Sequence, residues 1–440
     1  MFGILGTRTL EACPGKGYDV EDLLIANLRL PSGEGTNLGI HGTRLVDPDA
    51  LERPRVIDAD GLMAMPGLVD LHTHLREPSP FPAETIATGT AAAARGGFTA
   101  VFAMANTDPV TDTAAAVRHI RDLATGQSAD VIPVGAITRG LNGAELSDIT
   151  GMHSVGVTHF SDDGRCVMDA GLMRQALVEV GAFGGVIAQH CQDHNLAGAQ
   201  ACVPESTDET FWPWSAEATI VARDVQLALD TGAHVHICHI STAESVDVVR
   251  WAKARGIPVT AEATPHHLLL GSDLLRSGDT RFKVNPPLRS DDDRQAVRQA
   301  LADRTIDVVG TDHAPHLPAD KQKPFPDAKP GMVGLEWALG VVIETMVTTG
   351  LLDWAGVADR MSEAPARIGQ ISESQGRPLV PGQPATLVLI DPTRRAVVDK
   401  DTAVTLGRNN PYDGMNLPDP VLATFWAGRL TYDNGLISAS

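Results

Sequence analysis

The sequence predicts an α/β fold: a TIM-type (β/α)8 barrel with a small β side domain built from both terminal segments. Three observations predict it. From about residue 66 to about residue 349, short apolar β-type runs alternate with longer Ala-rich stretches, the pattern of a parallel sheet covered by helices. There are eight such runs, the number that closes a barrel. Both flanks differ, being rich in short β-type pieces punctuated by Gly and Pro. An open doubly wound sheet is the alternative, but neither GxGxxG nor GxxxxGK[ST] follows the first strand.

In order, the predicted strands are Leu68–His72, Thr99–Ala103, Val131–Ile137, Val157–Phe160, Val186–His190, Val235–His239, Pro258–Ala261 and Asp307–Gly310. The predicted helices are Glu84–Ala94, Ala114–Leu123, Ala170–Val180, Ala216–Leu229, Ala243–Ala254, Asp292–Leu301 and Leu335–Thr348. Residues 66–374 then form the barrel. Residues 1–65 and 375–440, with pieces such as Leu23-Leu24-Ile25 and Ala385–Ile390, form the two parts of the side domain. Residues 317–331, LPADKQKPFPDAKPG, have no periodicity and predict a loop placed as a lid after the last strand.

Composition narrows the function. The 440 residues carry a formal charge of −20, which argues against a nucleic-acid partner, because phosphate needs Lys and Arg. The 43% hydrophobic content supplies a large core, and no apolar run reaches membrane-spanning length. The start, MFGILGTRTLEACPGKG, does not read as a secretory signal. Five cysteines (Cys13, Cys166, Cys191, Cys202 and Cys238) without CxxC spacing fit a reducing cytoplasm.

Chemistry-bearing residues collect where the strands end. His72 and His74 are separated by one residue, so in an extended chain both imidazoles face one way, a common start for a zinc site. Asp162 and Asp163 follow the fourth strand, His190 and His239 end the fifth and sixth, and Asp312 follows the eighth. In a barrel all of these share the C-terminal rim, where active sites lie. Arg76, two residues beyond His74, is placed by the same period to hold a carboxylate. Cys191 and Cys238 alternate away from their His neighbours and read as core. His266 and His267 lie after the seventh strand, and His194 reads as a loop residue.

The stretches Asp70-Leu71-His72-Thr73-His74-Leu75-Arg76 and Gly310-Thr311-Asp312-His313-Ala314-Pro315-His316 resemble the two signatures of the long bacterial dihydroorotase family of the amidohydrolase superfamily. Met104-Ala105-Asn106-Thr107, Phe160-Ser161-Asp162-Asp163-Gly164 and Asn285-Pro286-Pro287-Leu288 agree with it. The resemblance implies two metal ions per subunit, zinc by expectation, although manganese and cobalt also suit His and carboxylate donors. His72, His74 and Asp312 would bind the first ion, and His190 and His239 the second. Many superfamily members bridge the ions with a carboxylated lysine, but this chain has no lysine between Lys16 and Lys253. An aspartate takes that place in the resembling enzymes, which implies Asp163, with Asp162 the adjacent rival.

By the same resemblance, Arg76, Asn106 and His316 grip a substrate carboxylate, with backbone near His74 and Leu75 also close. Asn285 contacts a pyrimidine ring, and Pro330 and Gly331 close over it. The implied activity is the reversible cyclisation of N-carbamoyl-L-aspartate to dihydroorotate, with Asp312 carrying the proton. The implied partner is that small molecule, and the resemblance allows a homodimer and association with aspartate carbamoyltransferase. The rival readings are allantoinase, hydantoinase or dihydropyrimidinase, and a non-catalytic scaffold for the carbamoyltransferase. Hydantoinase and dihydropyrimidinase usually use the carboxylated lysine and a tyrosine, whereas the only tyrosines here are Tyr18, Tyr412 and Tyr432, all in the flanks.

Overall fold

The computed structural model describes residues 18–19, 22–198 and 212–437; residues 1–17, Cys13 among them, and Cys202 lie outside the described residues. Eight parallel strands carry the site: β1 (Leu68–Thr73), β2 (Phe98–Ala103), β3 (Asp130–Pro133), β4 (His159–Phe160), β5 (Val186–Gln189), β6 (His234–Ile237), β7 (Val259–Ala263) and β8 (Val308–Val309). β1 to β3 make one three-stranded sheet and β4 to β8 one five-stranded sheet, each in chain order. Parallel bridges join the two at both ends, Gly135 with Phe160 and Thr73 with His313.

Strand composition explains the burial. β1 and β2 are buried at every position, as strands covered on both faces must be. The helices start where the sequence offers caps. Thr85 and Thr88 form a reciprocal capping box ahead of Ile86–Arg95, and Thr113, Asp169 and Thr242 accept from backbone N–H groups at the starts of Ala114–Ala124, Ala170–Gly181 and Ala243–Ala254. Their apolar faces and the strands form one large core that includes Phe98, Phe160, Ile187, Val225 and Met346.

Among the described residues, strands from both flanks make a separate nine-stranded sheet. Met63–Pro66, which leads directly into β1, pairs antiparallel with Leu387–Ile390, and that strand pairs with Val421–Trp426. Leu23, Ile25, Ile40, Leu387 and Phe425 build its core. Not all of the C-terminal flank stays there. Arg395–Val397 pairs only with Asn416–Pro418, and Val398, Tyr412 and Leu417 pack with Met332 and Trp337 near the site.

The differences from expectation have local causes. β3 ends at Pro133, short of the predicted Ile137, β4 starts at His159 rather than Val157, and β8 spans only Val308–Val309. The predicted helix 335–348 is a 3-10 turn at Leu335–Trp337, an α-helix at Ala338–Val342 and a π-turn at Ile343–Val347. Helices Ile149–Ser154 and Pro265–Leu269 are too short to give a clear period, and the first turn of the expected 317–331 loop is a helix at Pro318–Lys321.

Candidate metal centre

All the signature residues converge at the C-terminal ends of the strands. His72 lies in β1, His74 just beyond it, Asp163 after β4, His190 after β5, His239 after β6 and Asp312 after β8. All six are nearly or completely buried. His74 Nε2 lies 3.1 Å from both Asp163 Oδ2 and Asp312 Oδ1. His72 Nε2 lies 3.3 Å from Asp163 Oδ1 and 3.6 Å from Asp312 Oδ1. On the other side, His190 Nδ1 and His239 Nε2 are 2.9 Å apart, and each is 3.5 Å from Asp163 Oδ1. The donors thus fall into two triads, His72–His74–Asp312 and Asp163–His190–His239. Asp163 touches the histidines of both.

Asp162 points elsewhere. Its carboxylate accepts from the backbone N–H groups of Ile137 and Thr138, at 2.8 and 2.9 Å, and from the Thr138 hydroxyl. Neighbouring side chains in extended backbone diverge, and here one closes the turn after β3 while the other enters the cluster.

The outer nitrogens fix the inner ones. His72 Nδ1 faces Glu262 Oε1 at 2.5 Å, and a carboxylate can only accept, so Nδ1 carries the proton and Nε2 presents a lone pair. His74 Nδ1 faces Asn106 Oδ1 at 2.9 Å with the same consequence. Lone pairs aimed at carboxylate oxygens repel unless a cation lies between them. His72 Nε2 and Asp163 Oδ1 are also buried without any hydrogen-bond partner, a costly state that a shared ion removes. The donor set therefore fits a metal cofactor.

Three site residues have left-handed backbone: Arg76 (φ 56°), His239 (φ 34°) and Asp312 (φ 44°). This conformation is costly for non-glycine residues and is found where a site needs it. It also corrects two expectations that rest on strand alternation. β1 ends at Thr73, so Arg76 reaches its place through a turn, where its Nε donates to Pro315 O at 3.2 Å. Cys238 does not simply turn into the core. The bend at His239 leaves its sulfur within 4.8 Å of ligand atoms of His72 and Asp163, and burial raises the thiol to about 12.

The remaining predicted residues surround this centre. Asn285 Nδ2 lies 3.2 Å from His190 Nε2, and its amide pairs with that of Gln192. His316 Nε2 faces Pro330 O at 2.7 Å. Gly331 has a φ of 143°, and a Cβ there would lie 2.6 Å from His316 Nε2. The Leu75 side chain is buried against Gly89, away from the cluster. His267 bonds Thr264 and faces Pro286 O, while His194 is exposed at the start of a short helix.

Sequence reasoning missed the part played by two buried carboxylates that brace the strand ends carrying the cluster. Glu262 on β7 accepts from His72, from His236 Nε2 at 3.2 Å and from the His239 N–H. Asp70 on β1 accepts from Thr73 and from the backbone and hydroxyl of Thr311, fixing β1 to the segment that carries Asp312. The available signal was a charge inside an otherwise apolar strand, which a folded protein keeps only where it is paired.

A family model described as dihydro-orotase-like matches residues 61–245. A dihydroorotase from Streptomyces coelicolor is 52% identical over 431 residues, covering 96% of this chain and 97% of that protein. A dihydroorotase from Mycobacterium tuberculosis is 47% identical over 436 residues, covering 95% of this chain and all of that protein. Among solved structures, the L-hydantoinase (dihydropyrimidinase) from Arthrobacter aurescens superposes with a TM-score of 0.85 over 94% of this chain and 96% of that one, at 24% identity. That likeness bears on the fold alone.

Proposed function

The chain belongs to the dihydroorotase family of cyclic amidohydrolases, and from that premise we propose how its buried His–Asp cluster works. The reaction is the reversible closure of N-carbamoyl-L-aspartate to dihydroorotate with loss of water. His72, His74 and Asp312 would hold one zinc ion and His190 and His239 a second, with Asp163, which touches the histidines of both groups, available to either. When bound, the metal supplies a Lewis acid and lowers the pKa of a water. Asp312, beside His74, accepts the proton of the attacking water and delivers it to the departing ring nitrogen. In the closing direction it takes the proton from the carbamoyl nitrogen as that nitrogen bonds to the carboxyl carbon, and returns it to the hydroxide that this carbon releases, which leaves as water. Arg76, Asn106 and His316 hold the substrate carboxylate beside the backbone of His74 and Leu75. Asn285 meets the ring, and Pro330 and Gly331 border it.

The observation that carries this reading is the pair of orphaned atoms, His72 Nε2 and Asp163 Oδ1, inside a cluster of four histidines and two aspartates. It is tested by ring closure of carbamoyl aspartate with and without a chelator, beside hydantoin and allantoin. Turnover of carbamoyl aspartate that disappears on chelation and returns with zinc is expected. Turnover indifferent to exhaustive chelation, or preference for either other substrate, overturns it.

The same proposal places β1 to β8 in a closed (β/α)8 barrel over residues 66–374. Its support is the pair of bridges joining the two parallel sheets. Residues 1–65 and 375–440 are assigned to the β side domain on the support of the nine-stranded sheet. No described helix is long and apolar enough to cross a membrane. We assign the enzyme to the cytoplasm on the support of its metabolic relatives named dihydroorotase. A homodimer and association with aspartate carbamoyltransferase complete the proposal, both read out by sedimentation of the purified protein alone and with the transferase.

A further inference from the structure

We propose that Asn409, contributed by the C-terminal flank, is the positioning residue that sets the spacing of the substrate-carboxylate pocket. This rests on the proposed function for the identity of the pocket, and on hydrogen bonds for the rest. Asn409 is buried, with 3% of its surface exposed. Its Nδ2 donates to Ala314 O at 2.9 Å and to Gly331 O at 3.0 Å, and its Oδ1 accepts from His316 N at 3.1 Å. Both amide protons and the carbonyl are therefore used, each on a different residue of the pocket wall. Its own backbone carbonyl accepts from Val333 N at 3.2 Å.

The two segments it joins are the two that matter for the carboxylate. One, Ala314-Pro315-His316, carries His316 and offers Pro315 O to the Arg76 guanidinium. The other contains Pro330 and Gly331, and Pro330 O faces His316 Nε2. Apart from that contact, the segments meet through a short parallel bridge at His313 and Met332, with Ala314 N donating to Met332 O at 2.7 Å. Gly331 is also held through its N–H on Lys283 O and by Lys321 Nζ on its carbonyl, but Asn409 is the side chain that bonds both segments at once, taking Ala314 O and Gly331 O beside the bridge and His316 N at the binding residue. Space is reserved for it: a Cβ on Gly407 would lie 2.7 Å from Pro315 Cβ and 3.2 Å from Asn409 Oδ1. The Asn409 side chain bonds Ala314, His316 and Gly331 and none of the six cluster residues, so its loss should disturb binding and spare the metal.

The experiment is steady-state kinetics of the full-length, metal-replete Asn409→Ala and Asn409→Ser variants with carbamoyl aspartate. Loss of buried hydrogen bonds that position a binding group predicts KM raised about tenfold or more in Asn409→Ala and less in Asn409→Ser, which keeps one donor. The expected kcat stays within about threefold, with metal equivalents and far-UV circular dichroism matching the wild type. A folded variant with unchanged KM overturns the proposal, as does one that loses kcat or metal while KM holds. If neither variant folds, Asn409 is a folding determinant and the positioning role is likewise rejected. Failure of the wild type to turn over carbamoyl aspartate is a separate result, which removes the proposed function itself.

Discussion

His72 on β1 and Glu262 on β7 are joined by a 2.5 Å contact between imidazole Nδ1 and carboxylate Oε1, with both side chains wholly buried. Glu262 also accepts from His236 and from the backbone N–H of His239. One carboxylate thus orients an imidazole in the first triad and the chain at an imidazole in the second. Gly310 makes room for it, because a Cβ there would lie 2.2 Å from Glu262 Oε2.

Replacing Glu262 by Gln keeps the shape and removes the charge that supports His72 as a donor. We expect zinc affinity to fall by about 10–100-fold. Competition with a chromophoric chelator measures it. Affinity equal to wild type would show that His72 is held by packing alone.

Asp312→Asn retains a side chain of the same size but cannot accept a proton. The variant is expected to fold and to lose nearly all turnover. A remaining rate above about a tenth of wild type, equivalent to about 1.4 kcal/mol in barrier, contradicts the proton-carrier role.

Arg76→Met keeps the length of the side chain and removes the guanidinium. KM for carbamoyl aspartate should rise strongly while metal content stays the same, as measured by atomic emission on the purified variant. An unaltered KM places the carboxylate clamp elsewhere.

His159, at the start of β4, is buried edge-on to Phe102 with Nε2 against Ile368 O at 3.1 Å. Burial, aided by His236 and His234, lowers it to about 3. The unfolded imidazole titrates near 6.5, so below that pH the unfolded chain binds a proton that the folded one refuses. The stability from this group is complete above pH 6.5 and declines as pH falls toward 3, by about 1.4 kcal/mol per unit. Urea unfolding from pH 7.5 to 5 should show a shallower acid decline in His159→Gln than in wild type. Parallel curves for the two would refute this.

The candidate cluster was legible because its residues occur as short signatures at strand ends. HxH and the segment around Asp312 carry their spacing in the sequence itself. The choice between Asp162 and Asp163 needed the turn after β3, which is a tertiary fact. Glu262, Asp70 and Asn409 were hidden for a related reason: each acts through partners distant in sequence, so no local pattern announces them. Strand alternation misled at Arg76 and Cys238 because the backbone is left-handed at Arg76 itself and at His239, next to Cys238. The eight core strands were readable from apolar runs, whereas the segmented helix at residues 335–347 has no marker that separates α from π winding.

The pairing of Met65 with Val388 has a consequence for biosynthesis. On the ribosome, Met63–Pro66 emerges long before its antiparallel neighbour Leu387–Ile390 exists. Until then the apolar edge of the early strands stays open, and such edges invite intermolecular association. Assembly of this sheet must therefore wait until synthesis is almost finished, which makes nascent chains stalled before residue 387 the species most in need of chaperone protection.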